Sequence, residues 1–284
     1  MGATTLATFV GLPTDDMPRL KGWAQDLLVL AYPRGAEVDD SGQIVGKQMD
    51  AVELEERWTR MAECRQYLDA LVEDRRQRPQ DDLISVIVHS KSQGGEQALS
   101  TGRIVTHLID LIAAGTDTVA PLMAHTLKFL LANPDQLEQV TADPSLLDNT
   151  IEEGLRRRGT GNLLLRYTTR AIELGGVTIP ANAAVGLSYA SAGYDESHFG
   201  CPLDFDIHRD NAGDHLAFGR GKHFCIGAPL ARAEARISLE RLLARLPGLR
   251  LVEGQQLDYH QAVGVFMLKA IEFEWDGEAA QALG

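Results

Sequence analysis

One segment constrains this chain more than any other: a cysteine set among glycines in residues 215–227, HLAFGRGKHFCIG. Gly219 and Gly221 precede Cys225, and Gly227 follows it. Glycine allows a backbone to turn tightly and to approach a flat group closely. A helical pattern begins directly afterwards, and a cysteine at a helix N-terminus is favoured as the thiolate. The alternative interpretation is an ordinary buried cysteine in a glycine-rich turn.

The overall composition narrows the class of protein. The chain has 284 residues, is 44% hydrophobic, and carries 27 basic against 40 acidic residues. A net charge of −13 argues against a nucleic-acid or anionic-membrane partner. The N-terminal residues lack the basic start and apolar run of a signal peptide. Three cysteines, Cys64, Cys201 and Cys225, form no close pair. This favours a reducing compartment, and we predict a cytoplasmic protein.

The hydrophobic pattern predicts a mainly α fold with a minor β-sheet, in one domain of residues 1–284. The segment 104–131 is strongly apolar but contains four ionisable side chains, so it predicts a core helix and not a membrane span. Helices are predicted at 4–32 (interrupted at 11–14, with Thr14 as an N-cap), 47–78, 82–88, 100–132, 135–142, 145–158 and 226–246. Strands are predicted at 166–169, 172–174, 177–179, 185–189, 249–252 and 265–275, with a loop at 33–46.

Several motifs together carry a family resemblance. The pattern Phe218-Gly219-x-Gly221-x-His223-x-Cys225-x-Gly227 resembles the haem-binding signature of the cytochrome P450 family. Residues 228–234, APLARAE, continue it as the family's next helix does. Three further segments match in the same order. They are AGTDT at 114–118, the Glu-x-x-Arg pair of Glu153 and Arg156, and Arg209 in the FDIHR run at 205–209. Within this family, the chain most resembles the bacterial, soluble members.

The resemblance implies a haem-thiolate monooxygenase. It would use haem b to insert one oxygen atom from O2 into an apolar small organic substrate, with electrons from a separate ferredoxin-type donor. Cys225 would be the iron ligand, framed by Phe218 and the three glycines. His223 and Arg166 would bind haem propionates, since a guanidinium binds carboxylates bidentately. For Arg166, a surface salt bridge is the alternative.

The resemblance gives two further groups of residues a role. Thr118 would stabilise the iron-bound hydroperoxide, and Asp117 would help to relay protons to it. The alternative is a Thr bonded to a helix carbonyl and an Asp paired with an arginine. Glu153, Arg156 and Arg209 would form a structural triad. Otherwise, the basic run at 156–158 is most simply a solvated helix end.

Apolar substrate contacts and a basic docking patch are also expected. The apolar set could equally be plain core. The expected substrate contacts are Leu108, Ile109, Ile112 and Ala113, Leu163–Leu165, and Val265–Met267. The expected patch for the electron donor is Arg220, Lys222, Arg232 and Arg236.

The beginning of the chain departs from the family pattern. Residues 6–33 already resemble the family's middle helices, so about its first third has no counterpart here. This motivates the alternative of a truncated non-catalytic haem-binding or structural remnant. A third possibility keeps the fold and uses peroxide or performs a dehydration.

Overall fold

The computed structural model describes residues 2–31, 37–38, 44–45, 49–91, 99–259 and 268–277. They fall into two compact units, the first formed by residues 1–120 and the second beginning at Pro121. The single-domain prediction stays a prediction. The mainly α character with a minor sheet is confirmed. Within the described residues, no helix has both the length and the apolarity that crossing a bilayer requires.

The first unit consists mostly of helices. Its elements are α1 (Gly2–Val10), α2 (Met17–Ala31), β1 (Glu37–Val38), β2 (Ile44–Val45), α3 (Ala51–Gln77), α4 (Leu83–His89) and α5 (Thr101–Thr116). Asp50 caps α3 by accepting from the backbone N–H groups of Val52 and Glu53 at 2.9 Å, so the helix begins after residue 50 and not at 47. Asp82 caps α4 through the Ser85 N–H at 2.7 Å. The core contains fully buried Val10, Leu68, Val72, Ile84 and Ile104.

Two predictions for the start of the chain are wrong in detail. Thr14 does not cap α2. It opens a short 3-10 turn, Thr14–Asp16, that is preceded by Pro13. The segment predicted as a loop at 33–46 contains the short antiparallel pair β1–β2, with Glu37 opposite Val45.

The long helix predicted at 100–132 is interrupted. α5 ends at Thr116, and α6 (Val119–Leu131) begins after a bend at Asp117 and Thr118. Pro121 explains the break, because it has no N–H to donate to the Asp117 carbonyl and its ring crowds that oxygen. The prediction of one continuous helix is therefore wrong.

The second unit combines helices with short strand pairs. Its elements after α6 are α7 (Pro134–Ala142), α8 (Leu147–Arg158), β3 (Leu163–Tyr167), β4 (Ile172–Leu174), β5 (Val177–Ile179), β6 (Ala184–Ser188), α9 (Tyr189–Ala192), α10 (Ala228–Arg245), β7 (Arg250–Leu251) and β8 (Phe273–Glu274). Its core includes Leu130, Leu147, Ile151, Ile207 and Leu239.

The strand pairs of this unit are nested. β3 pairs with β6, with Arg166 opposite Val185, and the hairpin β4–β5 lies between them in sequence. Gly175 and Gly176, with φ of 56° and 79°, form the hairpin turn, which suits a two-residue loop with positive φ. β3 and β6 are displaced toward the N-terminus from the predicted 166–169 and 185–189. β7 pairs with β8, which is a much shorter strand than predicted. Residues 265–267 lie outside the described residues.

Acidification is expected to destabilise the second unit through His125. Its side chain is 1% exposed and stacks on Tyr259 with 5.9 Å between ring centroids. Burial lowers the pKa of His125 from 6.5 to about 4, and the charges of Arg158 and Lys128 act in the same direction. As pH falls through this window, the unfolded chain binds a proton that the folded chain does not. Stability present at neutral pH is then lost, by about 3 kcal/mol in all.

Urea unfolding across that pH window tests the expectation. His125→Phe keeps an aromatic ring against Tyr259 and cannot titrate, so its stability should fall less between pH 6.5 and pH 4 than that of the parent chain. Parallel losses in the two proteins would show that other groups cause the acid sensitivity.

Candidate functional site

The cysteine loop is closed by its own backbone. The Cys225 N–H donates to the Phe218 carbonyl at 2.9 Å, and the Phe224 N–H donates to the Gly221 carbonyl at 3.0 Å. Gly219 and Gly221 have φ of 71° and 77°, values that side chains other than glycine's rarely adopt. Gly219 and Gly221 therefore meet a requirement of the backbone in this loop.

The helix that follows Cys225 starts two residues later than the predicted residue 226. α10 begins at Ala228, with Gly227 as its N-cap. The thiol therefore sits just before the helix, and no side chain bonds at that N-cap. The reason is local, because the hydrogen bond from the Cys225 N–H to the Phe218 carbonyl holds Cys225 in the loop.

The three cysteines differ in their surroundings. Cys225 carries a free, exposed thiol, and Cys64 is buried in the first unit, where burial raises its pKa to about 11. Cys201 is exposed, but its carbonyl accepts from Arg209 Nη2 at 3.2 Å, and it lacks the Gly frame. The thiol best suited to bind a metal is that of Cys225. His223 lies in the turn Gly221–His223 beside it and is exposed.

A polar group packs behind the loop, against Phe218. The guanidinium of Arg232 lies 4.7 Å from the Phe218 ring centroid. It donates to Glu152 from Nε at 2.6 Å and from Nη2 at 2.8 Å. His215 Nε2 lies 3.2 Å from the same carboxylate, and its Nδ1 accepts from the Ala217 N–H at 3.1 Å. Burial opposes ionisation of Glu152, but the bonds from Arg232 and His215 outweigh it and lower its pKa to about 2.

This arrangement gives two cations of the predicted docking patch acidic partners on α8. Arg232 is bound to Glu152, and Arg236 pairs with Asp148 at 2.6 Å. Two of the four cations are therefore engaged within the fold, while Arg220 and Lys222 are exposed. Sequence reasoning missed Glu152 and His215. The available signals were the doubled acid before Gly154 and the histidine that opens residues 215–227.

Arg166 lies on β3 with an exposed side chain. Its Nη1 donates to the neighbouring Leu165 carbonyl at 2.8 Å. Among the described residues Arg166 forms no ion pair, so the salt-bridge alternative finds no partner there. Its charge is available for an anionic group.

Glu153, Arg156 and Arg209 meet in the interior of the second unit. Arg156 donates to both Glu153 oxygens at 2.7 Å, and Arg209 Nε lies 3.1 and 3.2 Å from the same two atoms. The Glu153 and Arg156 side chains are 0% exposed. The remaining guanidinium N–H groups donate to backbone carbonyls, those of Gly193, Pro202 and Asp204 for Arg156 and of Gly200, Cys201 and Asp204 for Arg209. These bonds join α8 to the loop before Cys225.

The basic run at 156–158 is not a solvated helix end. Arg156 is buried, and Arg157 and Arg158 are half-buried. The Arg157 guanidinium lies 5.2 Å from the ring centroids of both Phe129 and Tyr194. Burial lowers the pKa of Arg157. Aromatic rings from other segments cover these side chains, which the local sequence does not reveal.

Asp117 and Thr118 belong to the first unit, at the bend that follows α5. Thr118 Oγ1 donates to the Ala114 carbonyl at 2.7 Å, which is the helix bond of the alternative interpretation. Thr116 makes the same kind of bond, to Ile112 at 2.5 Å. Within the described part of the chain, Asp117 forms no ion pair with an arginine.

Most of the expected substrate contacts on α5 are core residues. Leu108, Ile112 and Ala113 are buried, and Leu108 packs in the hydrophobic core of the first unit. Ile109 is half-buried against the same core. Leu108 and Ile112 therefore match the core alternative, and a substrate contact at these two positions stays a prediction. Leu163–Leu165 lie on β3 and are partly exposed. Val265–Met267 lie outside the described residues.

Comparison with known proteins identifies the family. The family model described as Cytochrome P450 matches residues 47–247. The chain belongs to the cytochrome P450 family. Proteins of this family bind haem b through a cysteine thiolate. The exposed Cys225 thiol, in a loop whose glycines leave open space above Gly221, fits that group.

Individual P450 relatives cover nearly all of the chain. It is 35% identical over 96% of its length to the cytochrome P450 monooxygenase PikC of Streptomyces venezuelae. It is 35% identical over 92% to the cyclomarin C epoxidase CymV of Salinispora arenicola. The structure of P450BioI with a fatty-acyl carrier protein matches 97% of the chain, with 28% identity and a TM-score of 0.84. The chain spans 60% of the length of PikC and 62% of the length of CymV. It spans 66% of the P450BioI chain.

Proposed function

We propose that this P450 chain is part of a haem-thiolate monooxygenase that inserts one oxygen atom from O2 into an apolar small organic molecule. The observation that carries the proposal is the cysteine loop, with its free Cys225 thiol and its backbone closed onto Phe218. The match to monooxygenases over nearly the whole chain supports it. When bound, the haem would supply dioxygen activation, for which a separate donor would provide two electrons.

In this proposal, the protein side chains hold the haem and handle protons. Cys225 binds the iron, and His223 and Arg166 bind the propionates. The Thr118 hydroxyl donates its hydrogen bond to the Ala114 carbonyl, so its oxygen accepts a hydrogen bond from a water molecule and orients that water. Asp117, on the same bend, exchanges protons with that water.

Electrons come from a separate protein in this proposal. The two exposed cations of the cysteine loop, Arg220 and Lys222, favour an acidic, ferredoxin-type donor. The relatives differ in what their names describe, one being a cyclomarin C epoxidase and another a complex with an acyl carrier protein. The substrate proposed here is therefore defined only by its apolar, small-molecule character.

The test is a spectrum of the chain expressed with a haem precursor, reduced, and exposed to carbon monoxide. A strongly red-shifted Soret band is expected, because a thiolate ligand donates more electron density to iron than neutral ligands do. Oxygen uptake with a ferredoxin and its reductase then tests turnover. An unshifted band or a protein without haem would contradict the proposal and favour the non-catalytic remnant.

A further inference from the structure

Three side chains form a connected group behind the cysteine loop, which we call the Arg232 network: Arg232, Glu152 and His215. The Ala217 N–H donates to His215 Nδ1 at 3.1 Å, so the ring proton lies on Nε2 and is donated to Glu152. Glu152 then binds Arg232 through two N–H groups at 2.6 and 2.8 Å. The carboxylate side chain is only 16% exposed. The guanidinium is thus held by a geometry that lysine could not reproduce.

The network reaches the cysteine through Phe218. The held guanidinium lies 4.7 Å from the Phe218 ring centroid, a distance at which a cation is attracted to the ring face. His215 also contacts that ring, with 5.9 Å between centroids. The Phe218 carbonyl in turn accepts the Cys225 N–H at 2.9 Å. A displacement of the Phe218 backbone would therefore also displace the carbonyl that holds the Cys225 N–H.

We propose that Arg232 is a positioning residue for the haem-iron ligand, held by Glu152 and His215 so that it fixes Phe218 and sets the charge around the Cys225 sulfur. This inference rests on the proposed function and extends it to residues outside the ligand loop. It also gives Arg232 a role inside the fold in place of a docking role. Glu152 and Cys225 both act on the Arg232 guanidinium: the hydrogen bond to Glu152 and the charge of Cys225 raise the pKa of Arg232.

The charges of Arg232 and Glu152 predict the direction in which each variant shifts the reduction potential. Removing the Arg232 charge leaves the Glu152 carboxylate behind the loop, which disfavours the more negative, ferrous form of a thiolate-bound iron. Removing the Glu152 charge leaves Arg232 and favours the ferrous form. The reduction potential should therefore fall in Arg232→Gln and rise in Glu152→Gln, whereas loop order should decrease in both.

The experiment compares these two variants with Arg236→Gln. Arg236 lies one helical turn further along α10 and joins the same helix α8, through Asp148 at 2.6 Å. It contacts no ring among the described residues, so it is a matched control. Two readouts are measured: amide hydrogen exchange at residues 218–225 in chain prepared without haem, and the reduction potential and ferrous–CO band of haem-loaded protein. We expect exchange at Cys225 to rise about tenfold in both network variants.

The outcomes separate this inference from the proposed function. Faster exchange at Cys225 in the haem-free chain supports the positioning role even if no haem is retained. With haem retained, opposite shifts of potential in Arg232→Gln and Glu152→Gln complete the support. The inference is overturned if exchange at Cys225 and the reduction potential stay unchanged in Arg232→Gln and Glu152→Gln. It is also overturned if both change equally in Arg236→Gln. Uniformly faster exchange across the whole second unit overturns it as well, since that would indicate a general loss of stability.

Discussion

Replacing Cys225 with serine is expected to abolish the strongly red-shifted ferrous–CO band and the oxygen-dependent activity. Serine has nearly the same size and can keep the N–H bond to the Phe218 carbonyl at 2.9 Å, so the loop should keep its shape. A neutral hydroxyl does not supply the electron density that a thiolate gives to iron. The measurement is the absorption spectrum of the reduced, CO-treated protein, together with the haem content per chain.

Cys201→Ser is the matched control for this variant. Cys201 is also exposed and unpaired but lies in the loop whose carbonyls accept from Arg209. Its replacement should leave the spectrum unchanged. If Cys201→Ser lost the shifted band while Cys225→Ser kept it, the assignment of the iron ligand would be wrong.

Replacing Glu153 with glutamine is expected to destabilise the second unit by about 3–5 kcal/mol, because two buried guanidiniums lose the carboxylate that they share. The Glu153 side chain is 0% exposed and binds both Arg156 and Arg209. The amide of glutamine also places an N–H group where a donor is already present. Urea unfolding at neutral pH, followed by circular dichroism, measures the loss.

Asp148→Asn supplies the control on the same helix. Its partner Arg236 is 36% exposed and Asp148 itself 69% exposed, so the change should cost at most about 1 kcal/mol. A cost of similar size in the two variants would mean that the buried group adds no more than a surface ion pair.

Much of the local structure could be predicted from the chain itself. Asp82 caps α4, Gly175 and Gly176 turn the β4–β5 hairpin, and Pro134 starts α7. Each of these depends on neighbours within a few residues. The bend at Asp117 was also encoded locally, by Pro121, but the strong apolar pattern of residues 104–131 concealed it.

The partners of charged side chains could not be predicted in the same way. Arg232 resembles a surface cation by sequence, yet Glu152, 80 residues away, binds it at 2.6 Å. Arg157 belongs to a run of three arginines, yet Phe129 and Tyr194 cover it. Leu108 could face a substrate or the core with the same helical periodicity, and the packing of the first unit buries it.

The sequence alone determined the family, the identity of the ligand cysteine to be tested, and the residues of the Glu153 triad, because those motifs have fixed residue types at fixed spacing. Only the tertiary structure decided which cations are engaged inside the fold and which remain exposed. The physical reason is that a side chain's charge, burial and hydrogen bonds depend on segments distant in sequence, and these meet only when the helices pack.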